Sequence, residues 1–455
     1  MYFVYSFLMG LAALLLLPYW LVQGLRQGKY LSNLGERLGF SSPSLRNLPL
    51  DHPGAIWIHA VSVGEVLSAV SLAKRLKEAY PDRPLVVSTT TITGQALARE
   101  RMLFADAVIY FPLDWAFSVR RVLRAVRPSV VVILETEIWP NFLREAQRRK
   151  IPVLFVSGRI SGRSFARYES YLGVFGFFLR PFLRQALSGV TAFLAQSEKD
   201  AVRVRALGVA PGRVQVSGNL KYDIQLPEAT PIANWLEAEA RRRGRAPIIV
   251  AGSIVASEEP LALIAFGTLQ GEHPHALLVL APRKPERFEA AAEFIDESHR
   301  KYLRRSQLPV SAPSKAASQN GEPAIPDDVT VLLLDSIGEL ASLYRLADGA
   351  LVGGSLVPSG GHNILEPAAF GKIPVFGPHM ENFAEIAARF VAAGAAIQVA
   401  SPEDAGVAWI ELLRNPERMR KMGETARGLI EGSRGATDRA LAEIAKHLPT
   451  ASSEK

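Results

Sequence analysis

The stretch that decides the fold is Ala55–Glu78, AIWIHAVSVGEVLSAVSLAKRLKE. It opens with a short apolar run, Ile56–Ala60, which is typical of a buried strand. Gly64 then allows a tight turn, and apolar residues recur at helical spacing over Val66–Glu78. A buried strand that leads directly into a helix is the repeating unit of a parallel α/β sheet.

The same strand–helix unit recurs in the part of the chain that follows this stretch, where short apolar runs alternate with segments of helical periodicity. Such alternation predicts a doubly wound parallel sheet with helices on both faces. The further strands predicted in this first series are Leu85–Ser88, Val108–Phe111, Val130–Leu134, Val153–Val156, Ala192–Ala195 and Val214–Val216.

The periodic pattern pauses over 225–245 and then resumes as a second α/β series, followed by a helical region over 403–448. The segment Ser306–Asp328 is rich in Ser, Pro, Ala and Gly, which predicts a mobile surface insertion. The strands predicted in the second series are Ile248–Ala251, Leu277–Leu280, Val329–Leu334, Ala350–Val352 and Ile373–Phe376.

These patterns predict two Rossmann-like domains that face a central cleft. Ligands in such sheets bind beyond the carboxyl ends of the strands. Glycosyltransferases of the GT-B type, sugar-nucleotide epimerases and some phosphorylases all share this description. The predicted domains are a membrane anchor over 1–25, an N-terminal domain over 35–222, a linker over 223–246 and a C-terminal domain over 247–448, which includes the insertion at 306–328.

The composition excludes several classes of protein. The chain has 455 residues, of which 48% are hydrophobic and 21% are charged, as in globular proteins of two or three domains. It contains no cysteine, which excludes a disulfide framework, thiolate catalysis and cysteine-held zinc or iron–sulfur sites.

The positive charge is concentrated in the first half. Met1–Leu220 contains 27 Lys and Arg against 14 Asp and Glu, whereas the remainder contains 25 against 30. The first half should therefore attract anions. Nucleic acid, an anionic membrane surface and a phosphorylated substrate all fit this charge, as does a set of solvated basic faces.

The N-terminus predicts a membrane anchor. No charged side chain occurs over Tyr2–Val22, which is about the length that spans a bilayer. Arg26, Lys29 and Arg37 follow this run, which predicts a cytoplasmic location for the rest of the chain. An interfacial helix or a core helix is the alternative.

The motif His59–Glu65, HAVSVGE, places Glu65 at the start of a helix that follows a strand. A carboxylate at this edge of the sheet suits a general base, and the helix N-terminus should favour its ionised form. The alternative is an acid that only caps the helix.

The motif Glu135–Asn141, ETEIWPN, places Glu135 and Glu137 after the apolar strand Val130–Leu134. Acids in this loop could stabilise a cationic transition state or bind a metal ion. The chain has no Asp-x-Asp motif and no histidines at ligand spacing, so we expect a metal-independent site without a cofactor.

Four motifs in the second series predict a phosphate-binding or nucleotide-binding site. Pro282–Arg287, PRKPER, supplies cations after a strand, although a solvated loop is the alternative. Paired glycines in Val352–Leu356, VGGSL, and in Gly360–Ala368, GGHNILEPA, let the backbone approach a ligand. There Asn363 could begin a helix and Glu366 could accept hydrogen bonds from ribose, and Ser336–Glu339, SIGE, offers further amides.

In this order, with Gly218–Asp223, GNLKYD, and Gly377–Phe383, GPHMENF, the motifs resemble the 3-deoxy-D-manno-octulosonic acid (Kdo) transferase family. The resemblance extends from about Gly35 to about Val399. It implies the GT-B fold, the donor CMP-Kdo and a phosphorylated lipid A precursor as acceptor. It also implies a role in lipopolysaccharide assembly at the cytoplasmic face of the inner membrane, without nucleic acid as a partner.

The resemblance also implies roles for individual residues. The catalytic base falls on Glu65, and the residues that stabilise the transition state fall on Glu135 and Lys221. One departure is that many members carry Ser-Thr-His before a Glu pair, whereas this chain has Val255 at the histidine position, before Glu258-Glu259. The CMP contacts fall on Pro282, Arg283, Ile337, Gly338, Glu339, Asn363, Ile364, Leu365 and Glu366.

Two alternatives stay open at this point. One is a lipid-linked sugar transferase that uses a uridine nucleotide donor. The other is a membrane-tethered nucleotide-binding protein without catalysis, which leaves Glu65 without a role.

Overall fold

The computed structural model describes residues 1–27, 33–40, 42–49, 51–224, 226–308 and 324–448. The chain divides into two compact units. The first unit comprises Met1–Asp223 together with Ser433–Lys455, and the second comprises Ile224–Gly432.

The first unit is built on a parallel sheet of seven strands in the order β3-β2-β1-β4-β5-β6-β7. Its central strands are wholly buried because helices cover both faces. The strands are β1 Ala55–His59, β2 Leu85–Thr89, β3 Ala107–Tyr110, β4 Pro128–Leu134, β5 Val153–Gly158, β6 Ala192–Ala195 and β7 Val214–Val216.

Helices connect these strands in sequence. They are α1 Tyr2–Gln27, α2 Leu34–Arg37, α3 Val63–Ala79, α4 Ile92–Arg101, α5 Ala116–Val126, α6 Pro140–Arg148, α7 Gly162–Leu187 and α8 Glu198–Leu207.

The second unit contains another parallel sheet of seven strands, in the order β10-β11-β9-β8-β12-β13-β14. The strands are β8 Ile248–Ile254, β9 Leu277–Pro282, β10 Lys301–Arg304, β11 Val329–Leu333, β12 Gly349–Val352, β13 Pro374–Phe376 and β14 Ile397–Gln398. The helices are α9 Pro231–Arg243, α10 Glu259–Gln270, α11 Phe288–Glu297, α12 Leu340–Leu343, α13 Leu365–Ala369, α14 Ala384–Ala392, α15 Pro402–Arg414 and α16 Pro416–Glu431.

Each sheet reverses its strand order at a central pair of strands, and these reversals locate the predicted sites. In the first unit β1 pairs with both β2 and β4, and in the second β8 pairs with both β9 and β12. The crevice at the carboxyl ends of such a strand pair is where open α/β sheets bind ligands. Glu65 follows β1 and Glu135 follows β4, so both lie at the first of these positions.

The domain boundaries differ from the predicted ones at two places. The last helix, α17 Ala436–Ala445, belongs to the first unit, so the second unit ends at Gly432 and not at 448. Ala440 and Ile444 of α17 are buried in the core that contains Leu72 of α3. The predicted linker over 223–246 is mostly α9, which belongs to the second unit.

Every predicted strand is present, but two edge strands were not predicted. The side chains of β10 and β14 are exposed or only partly buried. Neither strand therefore forms the apolar run by which a buried strand is recognised.

The N-terminal segment forms α1, but the predicted anchor over 1–25 is not confirmed. Among the described residues, no helix has both the length and the apolarity that a bilayer crossing requires. Tyr2 and Tyr5 of α1 instead contact the ring of Phe182 on α7. Most of the predicted insertion, 309–323, lies outside the described residues.

Candidate active site

Glu65 lies in the first turn of α3, immediately beyond β1. Its carboxylate accepts hydrogen bonds from the backbone N–H of Val61, at 2.7 Å, and from the hydroxyl of Ser62, at 3.2 Å. Both contacts belong to the start of the helix, so the capping interpretation has a structural basis. The side chain is 7% exposed.

Burial raises the pKa of Glu65 to about 8, although the hydrogen bonds from Val61 and Ser62 oppose this shift. The nearby charges of Glu135 and Glu137 raise the pKa further. The expected stabilisation of the ionised form by the helix N-terminus is therefore outweighed. A pKa close to neutrality suits a general base, because the base must both exist unprotonated and accept a proton.

Glu135 and Glu137 follow β4, and Lys221 follows β7. Lys221 Nζ lies 3.8 Å from Glu135 Oε1. Glu135 has a φ of 54°, in the left-handed region that a non-glycine residue rarely adopts and that often marks a functional site. Burial, and then the charge of Glu135, raise the pKa of Glu137. The first unit thus brings the three predicted residues Glu65, Glu135 and Lys221 to one edge of its sheet.

A chain of hydrogen bonds holds the backbone of Lys221. Its N–H donates to Asn219 Oδ1 at 2.9 Å, and Asn219 Nδ2 donates to Gln196 Oε1 at 3.0 Å. Gln196 Nε2 in turn donates to the carbonyl of Ser157 at 2.9 Å. The end of β5 and the loops after β6 and β7 are therefore joined around the predicted site.

Arg159 belongs to the same edge but was not predicted. Its N–H donates to Thr136 Oγ1 at 2.9 Å, which fixes the loop between Glu135 and Glu137. The sequence signal that could have identified Arg159 is its position as a polar residue directly after an apolar strand.

Within the described part of the chain, no group of three His, Asp or Glu side chains could hold a metal ion.

In the second unit, Arg283 follows β9, and its N–H donates to the carbonyl of Ile254 at 2.8 Å. The positive charge of Arg283 affects the pKa values of both His362 and Glu366. Burial, and then Arg283, lower the pKa of His362 to about 4. Burial raises the pKa of Glu366, whereas Asn363 and Arg283 lower it. Arg283 and the motif Gly360–Ala368 therefore lie within electrostatic range of each other.

The backbone at Asn363 differs from the prediction. Helix α13 begins at Leu365 with Ile364 as its N-cap, so Asn363 does not begin the helix. Asn363 Oδ1 accepts the N–H of Leu365 at 3.1 Å, and Asn363 Nδ2 donates to Glu366 Oε1 at 3.3 Å. Asn363 therefore orders the segment and orients the carboxylate of Glu366.

Glu339 already has a partner within the protein. Arg305 donates to both of its carboxylate oxygens, from Nε at 2.9 Å and from Nη2 at 3.0 Å. The neighbouring Ile337 is 52% exposed, and Gly338 has a φ of 93°. Arg305 was not predicted, because it precedes the insertion and no local pattern connects it to Glu339.

Comparison with known proteins identifies the family of this chain. Residues 32–224 match the family model described as 3-deoxy-D-manno-octulosonic-acid transferase (kdotransferase). The chain is 32% identical to a 3-deoxy-D-manno-octulosonic acid transferase of Haemophilus influenzae, over 98% of each chain. It belongs to the Kdo transferase family.

A second relative, the 3-deoxy-D-manno-octulosonic acid transferase of Bordetella pertussis, is 34% identical over 89% of each chain. Among solved structures, a UDP-GlcNAc 2-epimerase of Neisseria meningitidis superimposes with a TM-score of 0.51 at 14% identity. That alignment covers 86% of this chain and 100% of the epimerase, and it shows a shared fold of two α/β units. The predicted family and the prediction of a glycosyltransferase are confirmed.

Proposed function

We propose that the protein transfers Kdo from CMP-Kdo to a hydroxyl of the phosphorylated lipid A precursor, lipid IVA, in lipopolysaccharide biosynthesis. Family membership supports the reaction class. The observation that carries the site assignment is the grouping of Glu65, Glu135 and Glu137 with Lys221 at the carboxyl edge of the first sheet.

Glu65 acts as the general base in this proposal. It takes the proton from the acceptor hydroxyl while the hydroxyl oxygen bonds to the anomeric carbon of Kdo. The bond from that carbon to the phosphate oxygen breaks, and its electron pair leaves with CMP. The sugar gains cationic character as that bond lengthens, which the carboxylates of Glu135 and Glu137 would stabilise.

The second unit would bind the CMP part of the donor. Arg283 supplies a positive charge for the phosphate, and a charge-assisted contact of this kind is strong. Pro282, Gly338, Glu339 and the segment Asn363–Glu366 complete the proposed set. The exposed apolar side chain of Ile337 offers a surface for the base or the ribose.

We also propose that the protein works at the cytoplasmic face of the inner membrane. Helix α1 exposes Phe3 and Phe7, and helix α7 exposes Phe177, which is 85% accessible, and Phe178. Aromatic side chains next to arginines suit a membrane surface with anionic lipids. The basic first half of the chain supplies such arginines.

Mass spectrometry of the lipid products tests the reaction. Incubation with CMP-Kdo and tetraacylated lipid IVA should add the mass of Kdo to the acceptor, whereas UDP-sugars should add nothing. Transfer from a UDP-sugar instead of CMP-Kdo would favour the uridine-donor alternative. Binding of CMP-Kdo without any product would favour the binding protein without catalysis.

A further inference from the structure

Glu258 holds together the two strands at the reversal point of the second sheet. It lies in the loop after β8, and its side chain is fully buried. Its Oε1 accepts the N–H groups of Ser355 and Leu356, at 3.0 and 2.9 Å. Its Oε2 accepts those of Gly354 and Val255, at 2.6 and 3.3 Å. Three of these four donors lie directly after β12.

This arrangement is that of an anion in a cluster of backbone amides. Successive N–H groups at a turn form a concavity that binds phosphate or other anions in many proteins. Burial raises the pKa of Glu258, whereas the hydrogen bonds from these four backbone N–H groups lower it. Because all four contacts come from N–H donors, the carboxyl group acts only as an acceptor, and this geometry favours its ionised form. Among the described residues, no cation forms an ion pair with Glu258, whereas the adjacent Glu259 pairs with Arg287 at 2.8 Å. The amides therefore supply the stabilisation of this buried charge.

The loop that Glu258 holds is packed too tightly for a nucleotide to reach its backbone amides. A Cβ atom at Gly353 would lie 2.3 Å from the carbonyl oxygen of Ser253. Gly354 has a φ of 69°, and a Cβ atom there would lie 2.9 Å from the ring of His362. The side chain of Ser355 is also fully buried. The amides of Gly354, Ser355 and Leu356 are consequently unavailable to a nucleotide.

The same loop supports the segment that is proposed to bind the donor. The carbonyl of Gly354 accepts the N–H of Gly361 at 2.7 Å, and the carbonyl of Gly353 accepts that of His362 at 3.1 Å. Gly361 and His362 directly precede Asn363–Glu366. The position of that segment therefore depends on the loop, and the loop depends on Glu258.

We propose that Glu258 is a built-in anion that occupies the amide cluster at the β8–β12 crevice and thereby positions the nucleotide-binding segment Gly361–Glu366. Glu258 is a positioning residue and does not touch the donor. The single phosphate of the donor then has to be bound by Arg283 and by the segment Asn363–Glu366. This inference rests on the proposed function, because it takes that segment as the CMP site.

Replacement of Glu258 by alanine, followed by rescue with formate, tests the inference. Titration calorimetry of the full-length protein should show CMP affinity about 10- to 100-fold weaker in E258A, the range expected when a charged group loses its hydrogen bonds. Formate, a small carboxylate that fits the vacated space, should restore part of this affinity, and chloride at the same concentration should not. Wild type should not respond to formate. R283A should also lose affinity, but formate should not rescue it, because that variant lacks a cation.

Two further measurements keep the test decisive. The melting temperature of E258A should rise with formate and not with chloride, and this readout does not require CMP binding. If wild type fails to bind CMP while formate still stabilises E258A, the proposed function fails and the anion role of Glu258 stands. If E258A does not fold, E258Q should bind CMP more weakly, because its amide nitrogen opposes two backbone N–H donors. CMP affinity equal to that of wild type in E258A or E258Q, or the absence of any formate effect, would overturn the inference.

Discussion

At the first site, the ion pair of Lys221 and Glu135 should contribute little to the stability of the fold. Lys221 and Glu135 are partly exposed, with side-chain accessibilities of 16% and 30%, and their atoms are 3.8 Å apart. Exposed ion pairs typically contribute about 0–1 kcal/mol to stability. In the proposed reaction the fixed charge of Lys221 offsets negative charge at the site, and a preorganised charge of this kind affects catalysis more than it affects stability.

We therefore expect Lys221→Met to lower kcat by about 10²-fold, in line with loss of one preorganised electrostatic group. The melting temperature should change little. Lys74→Met is the matched control, because Lys74 forms a surface ion pair with Glu78 at 3.9 Å. Equal activity of the two variants would show that Lys221 has no part in the reaction.

The grouping of Glu65 and Glu135 at one edge of the sheet could be predicted from the sequence, but their electrostatic state could not. Glu65 and Glu135 each follow an apolar strand, and the carboxyl ends of parallel strands share one edge. The raised pKa of Glu65 depends on burial and on the charges of Glu135 and Glu137, which are distant in sequence. The same limit explains why Arg305 and the carboxylate contacts of Glu258 were missed. Arg305 lies 34 residues from Glu339, and three of the four N–H donors to Glu258 lie more than 90 residues away from it.

At the scale of elements, the helices α1 and α7 of the first unit each carry exposed aromatic side chains. Phe177 and Phe178 lie close to Arg180 and Arg184 on α7, and both arginines are exposed. Such a helix should bind an anionic bilayer through both apolar insertion and charge.

We expect the double variant Phe177→Ser/Phe178→Ser to bind vesicles with anionic phospholipid more weakly than wild type. The double variant Arg180→Glu/Arg184→Glu should lose the part of the binding that salt screens. Arg418→Glu/Lys421→Glu on α16 is the control for charge alone, since both of its residues are exposed. Vesicle co-sedimentation at low and high salt measures each effect, and unchanged binding in both α7 variants would exclude this helix from the membrane surface.

Buried elements were predictable because their strands are continuous apolar runs, such as Val130–Leu134. The edge strands β10 and β14 of the second sheet do not have this composition, and their side chains are exposed or only partly buried. The edge strand β3 of the first sheet is fully buried and was predicted. Periodicity therefore identifies strands with buried apolar side chains and misses β10 and β14, which leave their side chains at least partly in solvent.

At the scale of the whole molecule, the return of α17 to the first unit supports the loop that carries Lys221. The carboxylate of Asp223 accepts the N–H of Gly435 at 2.6 Å, and Arg439 Nε donates to the carbonyl of Ser217 at 2.8 Å. These contacts join residues that are more than 200 positions apart, so no local pattern in the sequence predicts them. The second compact unit ends at Gly432, whereas the predicted domain extends to 448, for this reason.

We expect Ile444→Ala on α17 to lower the free energy of unfolding by about 2–5 kcal/mol, because its side chain is fully buried in the core of the first unit. Asp438→Ala on the exposed face of the same helix should cost about 1 kcal/mol or less. Chemical denaturation monitored by circular dichroism provides both values. A cost for Ile444→Ala no greater than that for Asp438→Ala would contradict the packing of α17.

The assignment of Glu65 as the base is tested most directly by the pH dependence of kcat/KM in wild type and in Glu65→Gln. Because burial raises the pKa of Glu65 to about 8, kcat/KM of wild type should rise with pH through that value and then level off. Glu65→Gln should turn over about 10²–10⁴-fold more slowly and lose this dependence while it still binds CMP-Kdo. Glu78→Gln, an exposed change on the same helix, should match wild type. Glu65→Gln with at least half the wild-type turnover, or with the same rise near pH 8, would contradict the account and leave Glu65 as a helix cap.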